Sequence, residues 1–252
     1  MKRLGIFFAF ALVLLFPVFL FAQTAKVIDL KGEVLVKQDA MTAWQKAKVN
    51  MLLGREAEVE TKKNALCTLA FDEEQKNILT IKENSRIKIE NVSPGSVFLP
   101  EGRVFSLIKN LSKGQTFQIR TPTAIAGARG TGWITGFTAG SASALCFEDT
   151  VFMQGLDNSG NPIGEQDLNR GSGLNVGPGG VFGGIFTLRD SDYREWNDFS
   201  GYVDGLSAGD QGGESDDTGS VEELNEEQQE GLGDKIQERN RAEEEYNEET
   251  PK

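Results

Sequence analysis

Ile28-Asp29-Leu30-Lys31-Gly32-Glu33-Val34-Leu35-Val36 decides the fold class. Ile28, Leu30, Val34 and Val36 share one parity, while Asp29, Lys31 and Glu33 take the other. Alternation at period two marks a strand with one buried and one wet face. Similar short runs follow at residues 58–60, 65–71, 78–81, 86–92, 104–108, 116–119, 132–138 and 145–153. Turn-forming clusters separate them, among them Pro94-Gly95-Ser96, Glu101-Gly102, Lys113-Gly114 and Gly140-Ser141. Short strands at roughly ten-residue spacing predict an all-β sandwich, barrel or solenoid. No segment of this region carries the 3.6-residue period of a helix, so a parallel α/β sheet is not expected.

Beyond residue 155 the chain is richer in Gly and Asn. Leu156-Asp157-Asn158-Ser159-Gly160-Asn161-Pro162 reads as a hairpin turn. Its spaced oxygens resemble a calcium loop only faintly, because Pro162 stands where such a loop needs Gly and Leu168 replaces the closing Glu. Val176-Gly177-Pro178-Gly179-Gly180 is turn chemistry, not a phosphate loop, since no Gly-Lys-Ser/Thr follows. Tyr193, Trp196 and Phe199 are three residues apart, which predicts a short helix over residues 187–199 packed on the domain end.

The composition narrows the function. The 252 residues contain no histidine, which excludes Ser-His-Asp and Cys-His nucleophilic catalysis and the His-based zinc and iron sites. Two cysteines are too few for a Cys-rich metal site, and no cofactor is expected. The net charge of −12 is concentrated at the C-terminus, where residues 214–252 hold 15 acids against four bases. The middle of the chain is close to neutral and has no basic footprint for nucleic acid.

Lys2 and Arg3 precede an apolar run from Leu4 to Ala22, the order of a secretory signal peptide. Cleavage is expected after Ala22, with Ala25 as the alternative site. The mature protein would then be exported, periplasmic or extracellular, with no membrane span. An uncleaved N-terminal anchor is the other reading. Cys67 and Cys146 thus belong to a disulfide-permissive compartment, where either a bridge or two buried thiols is open. Residues 201–252 are rich in Gly, Ser, Asp and Glu and are expected to form a largely disordered acidic tail. The domain itself is placed at residues 26–200.

The most particular stretch is Phe117-Gln118-Ile119-Arg120-Thr121-Pro122-Thr123-Ala124-Ile125-Ala126-Gly127-Ala128-Arg129-Gly130-Thr131-Gly132-Trp133. A strand runs into Thr-Pro, then small residues, then Arg-Gly-Thr, then another strand. Arg129 carries five donors between two glycines. The expectation is a structural staple, with Arg129 bonded to carbonyls or a carboxylate of an adjacent strand. An anion site is the alternative, with Arg120 the other cation nearby.

This stretch resembles the FecR domain, the periplasmic module of the iron-dicitrate regulator family. The resemblance rests on Thr121, Pro122, Ala124, Arg129, Gly130 and Thr131, and on upstream features. Those are the hairpin around Gly32, Trp44-Gln45-Lys46-Ala47, Leu52-Leu53-Gly54, Asn84-Ser85-Arg86-Ile87 and Glu101-Gly102-Arg103-Val104. It covers about residues 26–135 and runs weakly to about 190. It implies an all-β solenoid-like or sandwich-like domain in protein–protein or envelope-associated signalling, without catalysis. Only three residues precede the apolar run, so this chain is not expected to bind a cytoplasmic sigma factor itself.

The leading reading is an exported, non-enzymatic binding or scaffold module of the bacterial cell envelope. Its expected partner is an envelope protein or a cell-wall polymer. The alternative is a sensory subunit that relays an extracellular signal to a membrane partner. A carbohydrate enzyme would need paired carboxylates, for which Asp72, Glu73, Glu74, Glu148 and Asp149 are the candidates. Adjacent acids on a turn are usually solvated, and no enzyme is expected.

Overall fold

The computed structural model describes residues 23–209. The expected signal segment and most of the acidic tail lie outside them. Seventeen strands follow one another: β1 (Ala25–Lys31), β2 (Val34–Lys37), β3 (Gln45–Lys46), β4 (Leu52–Leu53), β5 (Glu58–Thr61), β6 (Leu66–Ala70), β7 (Asn77–Ile81), β8 (Ser85–Asn91), β9 (Ser96–Ile108), β10 (Phe117–Arg120), β11 (Ala124–Ala128), β12 (Thr131–Thr138), β13 (Ser141–Cys146), β14 (Thr150–Leu156), β15 (Pro162–Asn169), β16 (Ser172–Val176) and β17 (Phe186–Thr187). One helix, α1 (Asp190–Gly209), follows them.

The strands form two layers. Sheet I runs β4-β1-β6-β7-β9-β12-β13-β16-β17, and every pairing in it is antiparallel. Sheet II runs β3-β2-β5-β8-β9-β10-β11-β14-β15. Among the described residues only β9 and β10 pair in parallel, through Ser96–Phe98 and Gln118–Arg120. The all-β expectation holds, with an interior between the sheets of Val, Ile, Leu and Ala side chains around Phe117 and Trp133. Phe117 of sheet II meets Trp133 of sheet I edge-on, with 6.3 Å between ring centres.

Strand β9 joins the layers. Its first limb pairs with β8 and β10 in sheet II, its second with β7 and β12 in sheet I. The fold-over is at Gly102, whose φ is +96°. A side chain there would also sit 2.2 Å from Ser85 Oγ, so the bend needs glycine for both conformation and space. Crossings in the first half of the chain share this rim, where Lys82 N–H donates to Arg103 O at 3.0 Å and Asn84 N–H to Lys62 O at 3.4 Å. Crossings in the second half occur at Gly130, Asp149 and Gly171, all with positive φ, around the far end of that second limb at Ile108. The chain therefore folds back and forth between the layers, first over one rim and then over the other.

Two sequence expectations change here. Residues 124–128, Ala-Ile-Ala-Gly-Ala, are not a connector but a central strand between β10 and β14. Their low β propensity is overridden by burial, with Phe152 of β14 covering Gly127. The closing helix is also longer than the 187–199 expectation and takes in residues 201–209, which the tail was expected to claim. Packing accounts for the extension, because Val203 is buried and Tyr202 reaches Asp29 and Thr68.

Helix α1 lies on the outer face of sheet I. Trp196, Phe199 and Val203 pack against Ala70, Ile78, Phe105, Leu107, Ile134 and Phe147. Trp196 stacks on Phe147 with centres 4.7 Å apart and planes within 6°. At its start Asp192 accepts from the Arg189 backbone N–H at 2.9 Å, a capping arrangement that satisfies an orphan donor. The Arg189 guanidinium beside it holds the Asp192 carboxyl below the usual carboxylate range.

Candidate interaction surfaces

The signature residues occupy the turn from β10 to β11 and the crossing from β11 to β12. Thr121 is buried; its hydroxyl donates to Ala124 O at 2.9 Å and accepts the Ala124 N–H at 3.0 Å. Pro122 is exposed on the turn. Thr123 donates to Val176 O at 3.0 Å and so ties sheet II to β16 of sheet I. Ala124 is buried and faces Gly155 of β14 in register. Thr131 is buried, and its hydroxyl donates to the Glu148 carbonyl across the neighbouring crossing. At Gly132 a side chain would meet the Trp196 ring at 2.2 Å, so this glycine lets α1 lie against the sheet.

Arg129 departs from the expectation. It is exposed and makes no hydrogen bond or ion pair among the described residues, so it is not a staple. The reason is its position: it precedes Gly130 at a crossing, off the inner face of both sheets. The cation that does brace a neighbour is Arg120, bonded to Glu90 at 3.2 Å and lying 5.7 Å from the Phe98 ring centre.

Cys67 and Cys146 are both buried and both free. The bridge left open by the sequence is not formed. Their strands, β6 and β13, have β7, β9 and β12 between them, about 19 Å at the usual strand spacing. A disulfide requires α-carbons within about 7 Å. Burial pushes the Cys67 thiol up to about 12 and Cys146 up to about 11, so neither is a ready nucleophile.

The acids are not assembled into a pair. Asp72 caps its own turn, accepting the N–H groups of Lys76 and Asn77 at 2.9 Å and the Asn110 amide at 3.1 Å. Glu148 and Asp149 lie at the β13–β14 crossing, three strand spacings from β7, or about 14 Å. Glycosidase carboxylates stand about 5–9.5 Å apart. Asp157 is likewise occupied by its own turn, accepting from the Ser159 and Asn161 N–H groups at 2.8 Å. The Asn161 N–H bond holds its carboxyl below the ordinary range. Among the described residues no three His, Cys, Asp or Glu side chains are grouped to hold a metal ion.

Three surface features remain. A cleft of about 840 Å³ opens between α1 and sheet I, lined among others by Arg103, Thr138, Ser143, Phe186, Arg189 and Glu195. Its cations are already matched: Arg103 to Glu195 at 2.6 Å and Arg189 to Asp192 at 3.2 Å. The outer face of sheet II bears a charge lattice, with Lys37–Glu58 at 3.0 Å, Arg86–Glu60 at 2.9 Å and Lys88–Glu56 at 2.5 Å. Trp44 lies beneath Lys37 and Arg86. Last come the sheet edges. Sheet I ends in β4 and β17, and one end of sheet II in β3, each two residues long. The other end of sheet II is β15, eight residues that among the described residues pair only with β14 and are exposed along most of their length. Sequence reading did not single out β15; its weak signal was the run Ile163-Gly164-Glu165-Gln166-Asp167-Leu168 after a turn.

Residues 57–152 match the family described as FecR protein. The matched segment spans 96 of the 252 residues. The FecR segment starts at the approach to β5 and ends inside β14, later at both ends than the strongest sequence resemblance. Strands β15 to β17 and α1 lie beyond it. Two crystal structures of a candidate anti-sigma factor from Parabacteroides distasonis ATCC 8503 are similar to this chain at 12% and 14% identity. Each alignment covers 52% of this chain and 59% of theirs, with a TM-score of 0.41. The regulatory role in that name stays with those proteins. No curated protein matches this chain. No helix among the described residues is long and apolar enough to cross a membrane.

Proposed function

We propose that this chain is an exported, non-catalytic regulatory module that takes part in signalling at the cell envelope by binding a protein partner. The observation that carries the reading is the FecR match over residues 57–152. Two features of the molecule support it. The signature threonines are bonded within the fold, Thr121 to its own turn and Thr131 to the neighbouring crossing, while Arg129 beside Thr131 is left exposed. The two-layer body also presents an open strand edge, a feature suited to protein recognition.

The relay reading takes precedence over a passive scaffold because the matched family is a signalling family. The test is a deletion strain complemented with the intact chain, with transcripts compared before and after an envelope stress. The same strain, carrying a photo-crosslinking residue in place of Arg129, reports the partner. Loss of a stress-dependent transcript set, together with a crosslink to a membrane protein, is expected. Unchanged transcripts with crosslinks to wall polymer alone would overturn the relay and leave the scaffold.

A further inference from the structure

The geometry points to β15 as a docking strand for an extended segment of the partner that carries Lys or Arg at alternate positions. This rests on the protein-binding role proposed above and names its chemistry.

The pairing register shows which backbone groups are free. In an antiparallel ladder opposed residues alternate between pairs that exchange both hydrogen bonds and pairs that exchange none. Arg170 N–H donates to Asp149 O at 2.9 Å, just outside the Thr150–Asn169 pair. That bond makes Thr150–Asn169 a pair without mutual bonds. Alternation then turns Leu168, Gln166 and Gly164 toward β14, and turns Asn169, Asp167 and Glu165 outward. Three N–H donors and the carbonyls of Glu165 and Asp167 thus line an exposed edge with no second strand beside it among the described residues, the Asn169 carbonyl already accepting from the Ser172 hydroxyl at 2.5 Å.

The side chains choose the occupant. Leu168 is buried in the interior, so Glu165, Asp167 and Asn169, of opposite parity, stand on the outer face of sheet II. Glu165 accepts from the Gln154 amide at 3.0 Å, and Asp167 makes no hydrogen bond or ion pair among the described residues. A strand added at this edge would set two outer-face side chains, two residues apart, opposite these acids. Opposite charges there are favourable and like charges unfavourable. A second copy of β15, paired about a two-fold axis through Gln166, would place Glu165 against Asp167 twice. Charge therefore disfavours self-pairing and selects a basic segment.

The test uses the full chain labelled with nitrogen-15 and a blocked hexapeptide of alternating valine and lysine, with the valine–glutamate peptide as control. Amide hydrogen exchange is read residue by residue. Saturating lysine peptide is expected to slow exchange at Glu165, Asp167 and Asn169 at least tenfold, leaving Gly164, Gln166 and Leu168 unchanged. The double variant Glu165→Lys, Asp167→Lys keeps the ladder to β14 and should lose the lysine peptide while gaining the glutamate one. Equal response to both peptides, or none at the outward amides, would overturn the proposal. So would slow exchange at those amides in the free chain, with sedimentation separating a second copy from an intramolecular cover. Failure here leaves the relay reading intact, because the transcript assay does not depend on the peptide.

Discussion

The two outer faces of this sandwich are built on the same alternation and end in opposite states. On sheet I the outward parity is apolar at Ile78, Phe105, Leu107, Ile134 and Phe147, and α1 covers it. On sheet II the outward parity is charged at Lys37, Glu58, Glu60, Arg86 and Lys88, and cross-strand ion pairs serve in place of a cover. An apolar face must find a partner to leave water, whereas a charged one gains little from burial. Which sheet receives the helix is therefore decided strand by strand.

The contrast can be broken most severely at Trp196. Trp196→Ala removes the ring stacked on Phe147 and opens a cavity under α1, and is expected to cost about 3–5 kcal/mol by chemical denaturation. A loss below about 1 kcal/mol would mean that α1 is not integral to the fold. Next is Tyr202→Phe. Its hydroxyl donates to the Asp29 carboxylate and lies 3.1 Å from Thr68 Oγ1. Burial, and then the Asp29 bond, push the Tyr202 phenol up, so it remains a neutral donor. Removing that donor should cost about 1–3 kcal/mol in the same assay.

Acid provides the third comparison. Asp192 is nearly buried, and its carboxyl is held below the ordinary value by Arg189. A depressed folded value means that its stabilisation is complete above the unfolded carboxyl range and is lost as pH falls through about 4 and below. Thermal melts between neutral pH and pH 3 should show a shallower acid decline in Asp192→Asn than in the parent. Parallel declines would place the acid sensitivity elsewhere. On the charged face Glu60→Gln weakens the Arg86 pair, and should cost at most about 1 kcal/mol, a loss that shrinks in high salt. Smallest of all is Arg129→Ala, for which differential scanning calorimetry should find the melting temperature unchanged. A clear drop would restore the staple role that its exposure argues against.

Much of the layering was legible beforehand. Period-two alternation located β2, β5 to β8, β10 and β12, because one-sided burial writes itself into parity; in β1 a bulge between Val27 and Asp29 places Val27 in the interior and Ile28 under α1, off the face that parity assigned it. The aromatic spacing at Tyr193, Trp196 and Phe199 located α1, though not its continuation to Gly209, where Gly201 and Gly205 mask the pattern. Strand β11 was missed because Ala124–Ala128 has no large side chains to alternate. Of the candidate residues, Thr121, Ala124 and Thr131 sit in buried, bonded positions, and Arg129 does not. A sequence shows that a cation lies between two glycines, but not whether the crossing turns it inward.

By itself the amino-acid sequence determined the all-β class, the turns, the absence of histidine chemistry and the FecR resemblance. The class and the turns are local, set by neighbours two to four residues apart, while the other two are read from composition and from the order of motifs along the chain. Only the tertiary structure decided that Cys67 and Cys146 stay apart, that β9 folds over to serve both sheets, and that β15 is the long open edge. Those depend on which strand lies beside which across a hundred residues, a relation that backbone hydrogen bonds establish and no single segment records.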